Sequence, residues 1–452
     1  MDNARPFAGI EVVELGQFIA VPFCAQVLAE GGAHVIKVES VEGDPVRQLA
    51  PLAPGETRHF ISRNRGKHSL PLDLRHPSAA RVVERLLARA DVVLTNFRPG
   101  LAAELGLDWA SLAPHYPRLV VGNVSAFGRR GPAARLAGMD LVVQARSGLL
   151  AAGGGVHDGV PTGGENPVVD YMCAMTLAFG IAAALLRRAN TGSGGEVDAS
   201  LLMSALLIQN NHMVRIESAD DAAHAAIRAR LTELRATGRP YAEQAALTPQ
   251  IRPPGTVNVY YRTYATRDAA IAVACGSPAL RRAFIRAVGL ADEALDRPIA
   301  DRGKELEHYA ALRRRVEAAL TSRTTAEWQA GLEAAGIPAA GVKLPIELLD
   351  ERAAARQRDA PRPDPPCPGP RAGPGAPRLD GRRRVRPGAG DRAVRVGDAR
   401  DTRRARLRRR GGGDAAGRRG DARPARAARL SARRAGPAVS SARDRPPRAG
   451  DR

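Results

Sequence analysis

Asp170 stands alone in front of a long apolar run. Tyr171 to Leu186 carries no charge, Arg187 and Arg188 close it, and the turn Thr191 to Gly195 follows. The pattern reads as one buried helix with an acid at its N-cap and two cations in its last turn. A carboxylate placed there has two possible uses. It can accept hydrogen bonds from the first free N–H groups, a capping role that involves no reaction. It can also attack an acyl group, held ionised by the helix dipole and the amides in a site shielded from water. Spacing alone does not separate the two. The run falls short of the ~20 apolar residues of a membrane span, and Gly180 weakens its helix propensity.

Other groups have the right type and place for chemistry. Lys37, Arg47, Arg75 and Arg98 lie near expected strand ends, where cations bind phosphate or are simply solvated. Glu39 ends a β-like stretch, where an acid can hold a ribose. The turn Gly16 to Pro22, however, lacks the G-x-G-x-x-G pattern, which argues against a tightly held NAD. Phe97 offers a face for an adenine, or for core packing. Gly153 to Gly164 is glycine-rich and lies just before Asp170. Such a loop lets backbone amides approach an oxyanion, or is a plain surface loop. Cys24, Cys173, Cys275 and Cys367 show no zinc or redox spacing, which fits reduced thiols in a cytosolic protein.

The elements that position these residues follow from hydrophobic period. Gly9–Leu15 reads as a strand, Ala20–Glu30 as a helix ended by Gly31 and Gly32, and His34–Glu39 as a second strand, a βαβ unit with parallel strands. Strands are expected at His68–Leu74, Asp91–Leu94 and Arg118–Val124, and helices at Pro77–Ala90 and Leu101–Leu112. The alternation argues for an α/β fold, an open and mostly parallel Rossmann-like sheet. Ligands on such sheets sit at the carboxyl ends of the strands, so segments 16–21, 39–47, 96–100 and 125–131 should rim one crevice. The large domain is expected to span 1–216, with a helical linker at 217–255 and a smaller α+β domain at 256–350. In that smaller domain 256–274 reads as strands, and 280–290, 306–320 and a segment capped by Thr324 or Thr325 as helices.

The net charge of +21 is unevenly placed. Residues 351–452 hold 30 arginines against 11 acids, and contain no Phe, Tyr, Trp, Ile or Met. The first 350 residues are nearly neutral. A tail of this composition is expected to be disordered. Its arginine runs are of the kind that bind nucleic acid. Equally, Arg, Ala, Gly, Pro and Asp are what a GC-rich gene yields when read out of frame, and a frameshift near 351–360 is the preferred account, with nucleic acid not expected as a partner. The N-terminus has no apolar signal region and no apolar run reaches the length of a membrane span, so a cytoplasmic protein without membrane contact is expected.

Several short motifs resemble the family III CoA-transferases. They are LGQFIAVP, GGAHVIKVE followed by Gly43, Asp44 and Arg47, NRGKHSLPLDLR, DVVLTNFRPG, SAFGRRGP, and Asp170 with its Ala-rich helix and the Thr191–Leu201 stretch. The resemblance covers roughly residues 6–350. It implies that Asp170 is the acyl-carrying nucleophile, and that Ala20, Leu72, Arg75, Asn96 and Phe97 contact CoA. It also implies CoA exchange between an acyl-CoA and a carboxylic acid acceptor, with the CoA thioester as substrate, no cofactor or metal, and an interlocked homodimer. Val21 departs from the family, which usually has Gly before Pro22, and Ser40 replaces a residue that is basic in some members. Acyl-CoA racemases or isomerases on the same scaffold use a His before Asp140. Here that residue is Met139, which cannot move a proton, so a racemase is disfavoured, and Asp140 either orients the site or is structural. A reading of another class, a basic nucleic-acid-binding protein, depends on the tail alone.

Overall fold

The computed structural model describes residues 5–350, apart from 154, 165, 210–212 and 248–256. The tail 351–452, with the disorder and frameshift expected of it, lies outside the described residues. Six strands make one parallel sheet: β1 (Glu11–Leu15), β2 (His34–Glu39), β3 (Lys67–Pro71), β4 (Val92–Thr95), β5 (Val120–Ser125) and β6 (Gly195–Ser200). Their order is β6-β5-β4-β1-β2-β3. The chain runs outward from β1 to β3 and then restarts at β4 on the other side of β1. The switch point, where open α/β sheets hold ligands, is therefore between β1 and β4.

Successive side chains leave a strand on opposite faces, and the cores follow that rule. Val12, Val35, Val92, Leu94, Val120 and Val124 belong to one apolar cluster. It packs under α1 (Ala20–Glu30) and the long helix that carries Asp170. Val13, Leu15, Val38, Val93 and Val121 belong to the other cluster, with Val83 and Leu87. Between β2 and β3 lies α2 (Arg58–Asn64), and after β3 comes α3 (Ala79–Leu87). The helix expected at 101–112 is two short ones, Leu101–Glu104 and Trp109–Leu112. Gly106 turns between them at φ +67, a left-handed conformation that favours glycine.

Three more helices complete this layer: α4 (Asp140–Ser147), α5 (Val168–Thr191) and α6 (Leu201–Ile208). At 24 residues α5 is long and apolar enough to cross a bilayer by length and composition, which corrects the expectation that no run would be. Its inner stripe of Val169, Cys173, Leu177 and Ile181 is fully buried in the core, so in this fold it is a core helix. The mid-helix glycine has a packing reason. A Cβ on Gly180 would lie 2.6 Å from Cγ1 of Val197 on β6. Glycine lets α5 come down onto the sheet.

After α7 (Glu217–Ala236) a second core forms around a three-stranded antiparallel sheet, β7 (Tyr261–Ala265), β8 (Ala270–Ala274) and β9 (Ala339–Gly341). Helices α8 (Pro278–Ala287), α9 (Arg302–Leu320) and α10 (Thr325–Ala334) pack on it. Thr324 caps α10 in a reciprocal box with Glu327. Val257–Tyr260 is helical rather than extended, and the buried Tyr260 hydroxyl donates to Asp292 at 2.6 Å.

Candidate active site

Asp170 is the third residue of α5, not its cap. The N-cap is Pro167, whose side chain offers nothing to the free amides. The cap arrives from α4 instead. One Asp140 carboxylate oxygen accepts from the backbone N–H groups of Val169 and Asp170, both at 2.9 Å. Gln144 donates to the other oxygen. This overturns the expectation that Asp170 would satisfy the first turn itself. It also reverses the expected electrostatics. With the amides taken by Asp140, burial and then the Asp140 charge push the half-buried Asp170 carboxyl up to about 7, and only Arg63 opposes them. The site thus holds an acid that is about half ionised near neutrality, poorly solvated, and without a side-chain hydrogen bond among the described residues.

Arg63 sits in the last turn of α2 and is 7% exposed. Its Nε donates to the Tyr171 hydroxyl at 3.2 Å, and a terminal nitrogen donates to the His59 carbonyl at 3.2 Å. The Tyr171 ring meets Phe23 of α1 edge-on, with centroids 4.9 Å apart. In the glycine-rich stretch before α5, Val156–His157 and Val160–Pro161 pair as a small exposed hairpin.

The residues expected to contact CoA all follow strand ends on the carboxyl side of the sheet. Ala20 is buried as the first residue of α1. Asn96 follows β4, and both polar atoms of its amide hold the backbone of Gln17. Its oxygen accepts from the Gln17 N–H at 3.0 Å, and its nitrogen donates to the Gln17 carbonyl at 2.8 Å. Phe97 and Leu72 pack against the same apolar cluster. Arg75 is 92% exposed at its side chain and pairs with Asp73 at 3.1 Å. It opens onto a cleft of about 800 Å³ lined also by His76, Glu84, Glu104, His115 and Tyr116. Asp170 does not line this cleft.

Three other candidates are committed elsewhere. Lys37 is buried between Glu14 at 2.8 Å and Asp44 at 3.0 Å, and donates to the Gly16 carbonyl at 2.8 Å. Glu39 takes both the Nε and a terminal nitrogen of Arg47 at 2.8 Å, together with Ser69 and the Asp44 N–H. The Arg47 guanidinium also lies 3.4 Å from the Phe60 ring centroid. Lys37, Glu39 and Arg47 are therefore each paired with opposite charges of the protein itself. They frame the β1–α1 turn, where Phe18 is held at φ +66 and donates its N–H to Asp44. Arg98 pairs with Glu104 at 3.1 Å on the surface. Sequence reasoning did not find Arg63 or the capping role of Asp140. Nor did it find Lys67, which is buried against Glu14 at 2.7 Å and pushed down to about 8 by that burial. Among the described residues no cluster of His, Cys, Asp or Glu could hold a metal.

Comparison with known proteins places these features in context. The sequence model of CoA-transferase family III matches residues 7–388, running past the point where the motifs end. The chain is 31% identical over 346 residues to a probable fatty acyl-CoA transferase, Rv3272, of Mycobacterium tuberculosis, covering 74% of this chain and 82% of that one. It is 29% identical over 335 residues to the acetyl-CoA:oxalate CoA-transferase of Acetobacter aceti, covering 74% and 79%. A match to the succinyl-CoA–L-malate CoA-transferase beta subunit of Chloroflexus aurantiacus is 39% identical over 202 residues. That match covers 44% of this chain and spans half the length of the relative. The crystal structure of Rv3272 superposes with a TM-score of 0.62 at 28% identity, covering 78% of this chain and 88% of that one. A CAIB/BAIF family protein from Brucella suis gives 0.60 at 27%, with the same coverage.

Proposed function

The chain belongs to CoA-transferase family III, a family of enzymes, and on that premise we propose that it moves CoA from an acyl-CoA thioester to a second carboxylic acid with Asp170 as the nucleophile. The ionised Asp170 attacks the thioester carbonyl, the C–S bond breaks, and an aspartyl–acyl anhydride and CoA thiolate result. The thiolate attacks the aspartyl carbonyl, giving an Asp170–CoA thioester and the first free acid. The acceptor carboxylate then attacks that thioester and releases the thiolate, which takes the new acyl group and frees Asp170. Each exchange is a covalent relay that divides one hard step into easier ones. Atoms and electrons balance without a metal or redox cofactor.

The observation that carries this reading is the Asp140 cap. It orients the start of α5 while leaving the Asp170 carboxyl free, poorly solvated and raised to about 7. In this reading the clasped turn at the sheet switch point, with Ala20 and Asn96, and the Leu72, Arg75 and Phe97 side receive CoA. Because the Asn96 amide is tied to Gln17, its share in binding runs through the turn it fixes. A homodimer fits the exposed apolar stripe of α5 and α6, where Phe179 is 77% exposed and Leu186, Met203 and Leu207 lie open. A cytoplasmic location is part of the same proposal. Met139 in the place of a proton-transferring His speaks against racemase chemistry.

Hydroxylamine trapping in the presence of an acyl-CoA should tag Asp170, and Asp170→Ala should abolish transfer while leaving CoA binding largely intact. Near-normal turnover by the alanine variant, or rapid exchange of the acyl α-proton without an acceptor, would overturn the proposal.

A further inference from the structure

Arg63 is a buried guanidinium without a carboxylate partner among the described residues. No acid among the described residues lies within ion-pair distance of it, although Arg47, Arg188 and the buried lysines all have one. Its hydrogen bonds go to two neutral oxygens, the Tyr171 hydroxyl and the His59 carbonyl. Together they use two of its five N–H groups. Burying a cation in this way is costly unless an anion comes to it. The acid that feels its charge is Asp170, one residue before Tyr171, and that acid is itself only about half ionised near neutrality.

We infer that Arg63 is the anchor for the carboxylate of the acceptor acid, presenting it to Asp170 as the second half of the exchange begins. The inference rests on the nucleophilic role of Asp170, and the chemistry of that role explains the timing. While Asp170 is a free carboxylate, it partly balances Arg63. Once Asp170 becomes an acyl anhydride or a CoA thioester its negative charge is gone, and Arg63 faces a neutral carbonyl. A carboxylate entering at that point gains a fork of N–H donors on the cation whose charge Asp170 feels. The same charge then favours the oxyanion that forms as it attacks. The acceptor O–C bond forms, the aspartyl C–S bond breaks, and the CoA thiolate leaves. Arg63 therefore favours the acceptor after, and not before, the enzyme is loaded. The acyl-CoA donor arrives with its carboxyl already esterified to sulfur and has no need of this anchor.

The test separates the two halves of the reaction in the full chain. Arg63→Gln should still form the Asp170–CoA thioester from an acyl-CoA alone, read by mass spectrometry and by hydroxylamine trapping. Its KM for a simple carboxylate acceptor such as acetate or succinate should rise by about tenfold or more, with the KM for the donor little changed. Arg63→Lys keeps the charge but not the fork, and should fall between wild type and the glutamine variant. An acceptor KM within about twofold of wild type in soluble Arg63→Gln would overturn the inference. So would loss of CoA binding in Arg63→Lys, because that marks Arg63 as part of the frame. If wild type itself shows no label on Asp170, it is the parent reading that fails, and the two failures are told apart.

Discussion

Replacing Asp140 by Asn isolates the charge that α4 brings to Asp170. Asn can still accept from the Val169 and Asp170 amides through its side-chain oxygen, and Gln144 can turn its own carbonyl to the new NH₂ group. The cap stays and the charge goes. Asp170 is raised from 3.8 to about 7, with burial the largest cause, Asp140 the second, and Arg63 opposing both. At 1.36 kcal/mol per pH unit that displacement is about 4 kcal/mol between the two protonation states. Asp140 holds the smaller share, so its removal should lower the midpoint by about one pH unit. On the proposed mechanism Asp170 must be ionised to attack, so activity should rise with pH through this midpoint. The acid limb of kcat/KM for the acyl-CoA, which reports the free enzyme, should therefore move down by about one unit in Asp140→Asn. At about pH 6 the ionised fraction would rise from roughly a tenth to roughly a half. Asp140→Ala loses the cap as well and should cost ~1 kcal/mol of stability. An acid limb that stays in place in Asp140→Asn, or moves up, would refute the assignment.

Two further substitutions test the frame. Glu14→Gln leaves Lys37 and Lys67 buried without their shared anion and should destabilise the protein by about 3–5 kcal/mol in a denaturant titration. The wild-type contribution of Glu14, whose carboxyl the two lysines hold below its ordinary 4.5, should be fully present above that pH and lost as pH falls through its depressed value. Gly180→Ala drives a methyl against Val197 and should cost about 1–3 kcal/mol, read as a lowered Tm, although alanine is the better helix former.

The parts of this fold that were legible before the structure are those set by local period. The βαβ start, the parallel sheet and the apolar helix behind Asp170 all follow from side-chain alternation and run length. What escaped depends on residues far apart in the chain. The Asp140 cap joins positions 29 and 30 apart, so the first turn of α5 appeared to need its own acid. Lys37 and Arg47 looked like free cations near a strand end. The register that sets Glu14 opposite Lys37 is visible only once β1 and β2 are paired. Arg63 sits just ahead of the quoted motif that starts at Asn64, in a short polar helix with little apolar period to mark it.

The same long-range cap has a consequence for how the molecule comes apart. The first turn of α5 donates its amides to a carboxylate on another helix, so opening α4 should release the Val169 and Asp170 amides together. Hydrogen exchange at those two amides should therefore report the opening of α4 rather than the fraying of α5. In the opened state Asp170 becomes a hydrated acid like any other. On the proposed mechanism, attack on thioesters should therefore be confined to molecules in which both helices are docked.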